Sequence, residues 1–430
     1  MKIKIAIVFI LFTIVSCQKE ETEKTTEQHE ITLYNPIAMD VKSAPVTITR
    51  SDIENIVGKL GSDQLPALKD KNQSIIPFQV DDLDFDGNWD EMAFVIDMPA
   101  KDSLKLELVT ISADSLPQFE AKTSVHLARR DDEAGPVQPV TEATNYGDKL
   151  PPYQPNQMDG PAWENEYVGY RLYFDGRNQR DVFGKIEPAI VLPTVGLNEQ
   201  GNPVDNYHVL EDWGRDILAV GNALGAGGLG LENGDELIRL GLTLPETTGN
   251  LDSSTYKLIN KGPVRAIFSV NYYGWDIAGE TMDVANTISI WSGSHAYNNT
   301  VSVSGFEGKK TLITGLVNNN NDMPVIEKDY NKYQGIITHD KQTYNKEYFL
   351  GLALLVPTDK FNGWAEAPET GKVNTTTYAK LPVSTGTSLT YHVFSGWELQ
   401  DTSFTNRDFF VNMIDEEAQK LNQPVQVFFK

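Results

Sequence analysis

Short segments of alternating apolar and polar residues run through almost the whole sequence and limit what the chain can fold into. Between residues 30 and 128 they read ITLYNP, APVTITR, SIIPFQV, EMAFVIDMP and LKLELVTIS. Beyond residue 160 the pattern continues with segments such as YVGYRLYF, VANTISIW, FLGLALLVP and SLTYHVFSGW. Strands of this length with turn residues between them are typical of antiparallel sandwiches. We find no repeat of fixed period, so a propeller or solenoid is disfavoured and we predict a mainly β protein.

A stretch rich in proline and polar residues divides this pattern into two unequal parts. It runs from residue 135 to 160 and reads GPVQPVTEATNYGDKLPPYQPNQMDG. Such composition favours a linker. We therefore predict a small β-sandwich over 31–130, a linker over 131–160, and a large antiparallel β-sandwich over 161–430, a supersandwich of mutarotase-like type with a few short helices. The helices are expected at 207–224 and 406–420.

The N-terminus reads MKIKIAIVFILFTIVSC, in which two lysines precede an apolar run too short to span a bilayer. A small residue directly before Cys17 is similar to the lipobox of bacterial lipoproteins. We predict a signal peptide over 1–17, lipidation of Cys17, a flexible tether over 18–30, and attachment to the outer membrane through the lipid anchor. Cys17 is the only cysteine, so the chain has no disulfide.

The chain has 36 Lys+Arg against 60 Asp+Glu, a formal net charge of −24. Binding to nucleic acid needs a basic face, so nucleic acid is an improbable partner. An anionic ligand has to be held by particular arginines that overcome the general repulsion. We expect no cofactor for catalysis.

Gly225, Gly227 and Gly230 have the G-x-G-x-x-G spacing of a dinucleotide-binding loop. Such a loop leaves a strand and opens a helix, whereas these glycines follow the predicted helix. On that helix one side is apolar, and His208, Asp212 and Arg215 lie on the other. The glycines are therefore interpreted as a helix stop leading to closely packed backbone, and no nucleotide is expected.

Four aspartates surround a glycine turn in DDLDFDGNWDE, namely Asp82, Asp84, Asp86 and Asp90. Alternate carboxylates on a tight turn can converge on one hard cation, and calcium takes six to eight oxygen ligands. The stretch predicts a structural calcium site. The alternative is an acidic turn without an ion.

The segment WENEYVGYRLYFDGRNQRDVFGK contains the densest group of chemically active side chains. With period two, Tyr167, Arg171, Tyr173 and Asp175 share one face of a strand. An arginine beside two tyrosines suits a carboxylated sugar, because it combines an anion clamp with phenols that can stack or move protons. A solvated strand face is the alternative.

Two histidines have neighbours suited to acid–base chemistry. His208 shares its predicted helical face with Asp212 and Arg215, and His295 shares a predicted strand face with Tyr297 and Asn299. Either histidine could act as a base, and either group could equally be structural. No H-E-x-x-H, Cys/His cluster or G-x-S-x-G is present, which disfavours zinc proteases and α/β-hydrolases.

Three stretches together resemble a family of exported bacterial proteins long catalogued as a domain of unknown function and encoded among polysaccharide-degradation genes. They are FQVDDLDFDGNWDEMAF, EYVGYRLYFDGRNQRDVFGK and YHVLEDWGRDILAVGNALGAGGLGL. Within this resemblance the sequence is similar to the ulvan oligosaccharide dehydratases of marine bacteria. The resemblance implies elimination of water from the non-reducing-end uronic acid of an acidic oligosaccharide, leaving an unsaturated 4-deoxy end.

Such an elimination needs a base for the C5 proton, a group that neutralises the uronate carboxylate, and an acid for the departing C4 hydroxyl. We predict that His208 is the base, with His295 able to replace it, that Asp212 orients the imidazole, that Arg171 clamps the carboxylate and that Tyr173 is the acid. The predicted substrate contacts are Arg215, Asn299, Tyr167 and Trp213.

Three other functions are also compatible with the sequence. A polysaccharide lyase uses the same proton abstraction but expels a sugar, and a glycan-binding lipoprotein would retain acidic oligosaccharides unchanged. A glycoside hydrolase would need a pair of carboxylates about 5 to 9 Å apart in a pocket.

Overall fold

The structure, a computed structural model, describes residues 29–147 and 149–429. Its architecture is mainly β, as predicted, with antiparallel sheets and no barrel. The first part contains six strands and one α-helix: β1 His29–Tyr34, β2 Val41–Thr49, α1 Arg50–Val57, β3 Gln64–Lys69, β4 Phe78–Asp81, β5 Glu91–Met98 and β6 Ser103–Ser112.

The middle of the chain contributes short strands: β7 Thr123–His126, β8 Ala128–Arg129, β9 Gln138–Pro139, β10 Glu142–Tyr146, β11 Ala162–Asn165, β12 Val168–Leu172, β13 Arg180–Lys185, β14 Gly214–Asp216, β15 Ala226–Asn233 and β16 Glu236–Arg239. Longer strands and the second helix follow: β17 Ser253–Lys261, β18 Arg265–Ile277, β19 Glu280–Trp291, β20 Ala296–Ser304, β21 Lys310–Val317, β22 Ile326–Asp329, β23 Tyr333–Asp340, β24 Leu350–Pro357, β25 Trp364–Glu366, β26 Thr376–Val383, β27 Ser388–Trp397, α2 Arg407–Asn422 and β28 Gln426–Phe429.

The N-terminal sandwich consists of a four-stranded sheet, β28-β1-β6-β3, and a three-stranded sheet, β2-β5-β4. Alternate residues of these strands point inward and form one apolar core that includes Ile31, Leu33, Ile48, Phe94 and Leu108. Strand β28 pairs with β1 although it comes from the end of the chain. The first sandwich therefore includes residues beyond the predicted 31–130.

The larger part is built on a nine-stranded antiparallel sheet, β10-β17-β18-β19-β20-β27-β24-β23-β22. Two five-stranded sheets accompany it, β14-β13-β12-β11-β7 and β16-β15-β21-β26-β25. Side chains from all three sheets, among them Trp163, Leu231, Phe268 and Leu352, form a single core. Strand β7 belongs to the β14–β7 sheet, so this part begins before the predicted linker, and β8, β9 and β10 lie within the linker itself.

Helix α2 agrees with the helix predicted at 406–420. The side chain of Asn406 caps it by accepting from the backbone N–H groups of Asp408 and Phe409. Its buried face, Phe410 with two further residues of the helix, packs with residues of β23, β24 and β27. Helix α1 was not predicted.

The helix predicted over 207–224 is wrong. The segment consists of turns, the short strand β14, and an extended stretch that leads into β15. Gly214 and Gly221 adopt positive φ inside the predicted helix, which a regular helix excludes. The glycine run that follows opens strand β15, and a Cβ on Gly227 would lie 2.5 Å from the hydroxyl of Tyr297. These glycines thus permit close packing of backbone on the large sheet.

Candidate functional site

The outer face of the β14–β7 sheet holds a buried ionic network centred on Arg171. Its guanidinium is 1% exposed, and its Nη2 atom contacts Oδ2 of Asp181 and, at 2.7 Å, Oδ2 of Asp216. Both aspartates are fully buried on the neighbouring strands β13 and β14. Strand pairing of β12 with β13 and of β13 with β14 brings these side chains together. One buried cation is therefore shared by two buried carboxylates.

Tyr173 closes the network on the side of the β12–β13 turn. Its hydroxyl lies 2.6 Å from Oδ2 of Asp181 and 2.7 Å from Nη2 of Arg171. The phenol ring lies between two guanidiniums, with Cζ of Arg171 at 4.3 Å from its centroid and Cζ of Arg177 at 4.0 Å. Burial raises the pKa of Tyr173 well above its usual value, and Arg171 opposes the rise. The phenol therefore stays protonated.

Arg177 lies at the partly exposed edge of this group. Its side chain is 22% exposed and pairs with Asp175 at 2.5 Å and with Asp159 at 3.1 Å. Asp159 also receives the hydroxyl of Tyr207 at 3.4 Å. The edge thus places an arginine and two carboxylates beside Tyr173.

The segment between β13 and β14 folds over the network. Tyr207 is 2% exposed and packs edge-on against Phe183, and Trp213 packs against the same ring. Together with Met158 and Leu192 these residues form a small separate core. This packing covers Arg171 and fixes the position of the next residue, His208.

His208 lies at the surface directly above the network, with a side chain that is 40% exposed. Its Nδ1 atom is 3.4 Å from Oδ2 of Asp216, the oxygen that also contacts Arg171. Its Nε2 atom is 2.9 Å from Oδ1 of the exposed Asp205. A buried carboxyl group at Nδ1 fixes the orientation of the imidazole. This geometry suits a general base that is held in position by a buried carboxyl group.

Burial raises the pKa of Asp216 well above its usual value, and the neighbouring Asp181 adds to the rise while Arg171 opposes it. Asp216 therefore holds a proton more readily than an exposed aspartate does. A positive charge that develops on His208 acts in the opposite direction and favours the ionised form of Asp216.

Tyr344 stands on the other side of His208. Its ring meets the imidazole edge-on at 5.6 Å between centroids, and it is half-buried. Burial raises the pKa of Tyr344, with Asp216 and Asp181 adding to the rise. A protonated phenol therefore lies next to the imidazole, where it can serve as a proton donor.

Arg215 precedes Asp216 on β14. Its Nη2 atom lies 2.9 Å from Oε2 of Glu347, which is 44% exposed, and its guanidinium lies 5.3 Å from the ring of Tyr348. Its buried Nε atom has no hydrogen-bond partner among the described residues. Because its one carboxylate partner is exposed, Arg215 is better placed than Arg171 to accept an external anion.

The structure contradicts two of the predicted roles at this site. Arg171 is enclosed and already paired, so the predicted carboxylate clamp does not face solvent. The orienting residue predicted for His208 was Asp212, but that residue lies in an exposed turn, and the carboxylates beside the imidazole are those of Asp205 and Asp216. Tyr173 and Trp213 also lie in this region, Tyr173 within the network and Trp213 against Phe183.

The other predicted group lies apart from this network. The His295 ring stacks on Tyr167 with centroids 4.5 Å apart, and Nε2 of His295 is 3.2 Å from Gln400. Burial lowers the pKa of His295 to about 4. Asn299 is fully buried, and its amide donates to the hydroxyl of Tyr391 at 2.5 Å. None of these contacts reaches His208, so the two histidines do not form one site.

Asp82, Asp84 and Asp86 come together in the β4–β5 hairpin, each with a carboxylate oxygen within 4.8 Å of the others. The turn is also held by its own hydrogen bonds: Gly87 N–H donates to Asp82 at 3.0 Å, and Leu83 N–H donates to Asp90 at 2.6 Å. Three oxygen donors at this separation fit a calcium ion. Asp90 accepts a hydrogen bond within the turn and is not part of the group of three carboxylates.

Sequence reasoning missed Asp159, Asp181, Asp216, Arg177, Tyr207 and Tyr344. Asp181 and Asp216 sit on strands that the sequence did not align with Arg171, and Tyr344 is more than 130 residues from His208 in sequence. One signal was available. Asp181 follows Arg180 in a strand, and a charged pair inside an otherwise apolar strand has to be neutralised by neighbouring strands.

The predicted signal peptide, the lipidated Cys17 and most of the tether lie outside the described residues. Among residues 29–147 and 149–429, no helix is long and apolar enough to cross a bilayer.

Comparison with known proteins gives three results. A family model described as a domain of unknown function, DUF4861, matches residues 33–427. An uncharacterized protein P7 of Formosa agariphila is 23% identical over 431 residues, covering 96% of this chain and 95% of that protein. Two solved structures from Enterococcus faecalis, an α-mannosidase and a protein of glycosyl hydrolase family 38, give TM-scores of 0.46 and 0.47 at 9% identity. The chain, of which 94% is covered, spans about half the length of each, 46% and 47%.

Proposed function

The chain belongs to the DUF4861 family, and we propose that it is a carbohydrate-active hydro-lyase that removes water from the terminal uronic acid of ulvan-type acidic oligosaccharides. The proposal combines the resemblance of its three motif stretches to oligosaccharide dehydratases with the arrangement around His208. The observation that supports it most is the partly exposed imidazole placed 3.4 Å above the buried Asp216.

His208 is the base in this proposal. It takes the C5 proton, and the electron pair of the broken C–H bond forms the C4–C5 double bond as the C4–O bond breaks. The departing oxygen takes a proton from Tyr344 and leaves as water. The imidazolium that results lies between the carboxyl groups of Asp205 and Asp216, and its positive charge favours the ionised form of both.

Arg215 neutralises the uronate carboxylate, which must accept charge as the C5 proton leaves. The substrate carboxylate replaces Glu347 at Nη2 of Arg215, whose side chain is 9% exposed. Arg171, in contrast, positions Asp216 and does not touch substrate. The tyrosine proposed as the acid is Tyr344 rather than Tyr173, because the hydroxyl of Tyr173 is already shared by Asp181 and Arg171.

A glycosidase reading of the same site has less support. Asp181 and Asp216 are a pair of carboxyl groups, but both are fully buried and contact the same nitrogen of Arg171. A glycosidic bond needs its two carboxyl groups to flank it from an open pocket. The lyase and glycan-binding alternatives are distinguished from the proposal by what happens to the oligosaccharide. The test of the proposal therefore includes both as outcomes.

Two further features belong to the proposal. The aspartate hairpin binds calcium in a structural role, and Cys17 anchors the protein to the outer membrane, where it meets polysaccharide fragments. Neither takes part in the elimination, for which no cofactor is proposed.

The test is incubation of purified protein with saturated uronate-ended ulvan oligosaccharides, followed by the ultraviolet absorbance of the new conjugated double bond. We expect absorbance with the native protein and at least a hundred-fold slower rise with His208→Ala. Asp212→Asn is the matched control, since its carboxylate is exposed in the same segment. Full activity in His208→Ala would discard the base assignment. Cleavage of the oligosaccharide with the new double bond would identify a lyase, and cleavage without it a glycoside hydrolase. Binding without change would identify a glycan-binding protein.

A further inference from the structure

A cleft of about 300 Å³ lies beside the β10–β17 strand pair. Arg129, Asn145, Tyr146 and Lys149 line one part of it, and Phe174, Asp175 and Gly176 line another. Its size is at the lower end of the range for small-molecule sites.

The cleft is locally basic in a chain whose net charge is −24. Arg129 and Lys149 both face it, and Asp175 is the one acidic side chain among its described lining residues. Asp175 is already neutralised by Arg177, whose Nη2 lies 2.5 Å away. Neither Arg129 nor Lys149 has an ion pair among the described residues, so two positive charges remain available.

Arg129 is held in place for such a role. Its Nη1 atom donates to Oδ1 of Asn145 at 2.8 Å, and the amide of Asn145 donates to the carbonyl of Phe174 at 3.0 Å. This chain of bonds fixes the guanidinium at the wall of the cleft and leaves its other nitrogen atoms for a ligand. Positioning an arginine through a neutral amide, rather than a carboxylate, keeps its charge uncompensated.

An aromatic ring completes the arrangement. Tyr146 is 86% exposed at the mouth of the cleft, and the floor includes the apolar Phe174 and Leu251. An exposed ring beside cations is a combination that suits a sugar bearing an anionic group, with the ring stacking on the sugar face.

We propose that this cleft is an anion-binding subsite for a sulfated or carboxylated sugar. The anion is held by Arg129 and Lys149, and the sugar ring lies on Tyr146. That this sugar belongs to the same oligosaccharide as the terminal uronate rests on the proposed function. The wall segment 173–177 supports that link, because Phe174 and Asp175 line the cleft while Tyr173 and Arg177 stand at the network beneath His208.

The test is calorimetric titration of the full protein with sodium sulfate, sodium glucuronate and neutral glucose at constant ionic strength. We expect saturable binding of sulfate or glucuronate, at least ten-fold weaker in both Arg129→Gln and Lys149→Gln. Lys71→Gln, an exposed lysine of the N-terminal sandwich, is the matched control and should bind as the native protein does. Tyr146→Ser should weaken glucuronate but leave sulfate unchanged.

The relative affinities of sulfate and glucuronate decide which anion the subsite recognises. The sulfate titration requires no elimination to occur, so failure of the elimination chemistry would leave this result intact. Native affinity in the Arg129→Gln and Lys149→Gln variants, or the absence of saturable binding of either anion, overturns the subsite.

Discussion

Nδ1 of His208 and Nη2 of Arg171 meet at one oxygen of Asp216, at 3.4 Å and 2.7 Å respectively. The surface imidazole is thereby linked to a fully buried ion network by a single carboxylate. Asp216 separates the exposed part of the site, where substrate can bind, from the part that holds it in place.

Asp216→Asn tests this link. The amide cannot stabilise an imidazolium as a carboxylate does, so we expect the rate of elimination to fall at least ten-fold while KM changes little. The measurement is a steady-state comparison with Asp212→Asn, which should retain native kinetics. An equal loss of rate in Asp216→Asn and Asp212→Asn would show that Asp216 does not support the imidazole of His208.

Arg171→Met tests whether Arg171 is a positioning residue. Removing this buried cation leaves Asp181 and Asp216 facing each other without a counter-charge, and the expected loss of unfolding free energy is about 3–5 kcal/mol. Urea unfolding at neutral pH measures it. Lys42→Met is the control, because Lys42 forms an exposed pair with Asp97 and should cost under about 1 kcal/mol. A loss no larger than this control would contradict the buried network.

Tyr344→Phe tests the acid. Without the hydroxyl, we expect the rate of elimination to fall by about a hundred-fold, while the affinity for substrate and the stability are close to native. Tyr173→Phe is the comparison, since it removes a hydroxyl from the buried network and should lower stability as well. If Tyr344→Phe retained full activity, the proton donor would have to be another group.

Acid should destabilise the protein through its buried histidines. Burial lowers the pKa of His392 to about 4, and this side chain is 7% exposed. The unfolded chain takes up a proton near its ordinary pKa of about 6.5, whereas the folded state does not until about 4. Its contribution is therefore complete above about pH 6.5 and is lost as the pH falls toward 4, by about 3 kcal/mol.

Urea unfolding at pH 7 and pH 4.5 measures this change for native protein and His392→Gln. The glutamine does not titrate, so the variant should lose less stability between the two pH values. If the unfolding free energy had the same pH dependence in the two proteins, His392 would not be a source of the acid destabilisation.

Calcium should raise the melting temperature through the aspartate hairpin. Three carboxylate oxygens lie within 4.8 Å of one another there, and a bound ion stabilises the folded state in proportion to its saturation. Thermal melts with calcium and with EDTA measure the effect, and Asp84→Asn should abolish it. Asp114→Asn, outside the hairpin, is the control. Identical melts with calcium and EDTA would leave the hairpin as a turn without an ion.

The strands were predictable because their alternation depends on local sequence, and Asn406 marked the start of helix α2. The structure of segment 207–224 was not predictable in this way, because its apolar residues have helical spacing although the segment is not a helix. Two of them, Ile217 and Val220, instead pack as extended backbone in the main core.

The site was predictable only in part. Arg171, Tyr173 and His208 were chosen from local pattern, and the structure places all three around one network. The partners of these residues could not be predicted from local pattern. Asp181 contacts Arg171 because their strands pair, and Tyr344 contacts His208 because a distant loop folds against it. Burial, which a sequence does not show directly, is what changes Arg171 from a substrate clamp into a positioning residue.

Mass spectrometry of saturated uronate-ended oligosaccharides, incubated with native protein or with His208→Ala, tests whether the protein is a dehydratase that uses His208 as its base. We expect that native protein lightens each oligosaccharide by one water, about 18 Da, without shortening it, and that the variant leaves it unchanged. Unchanged oligosaccharide with native protein, or shortened chains, would contradict this assignment.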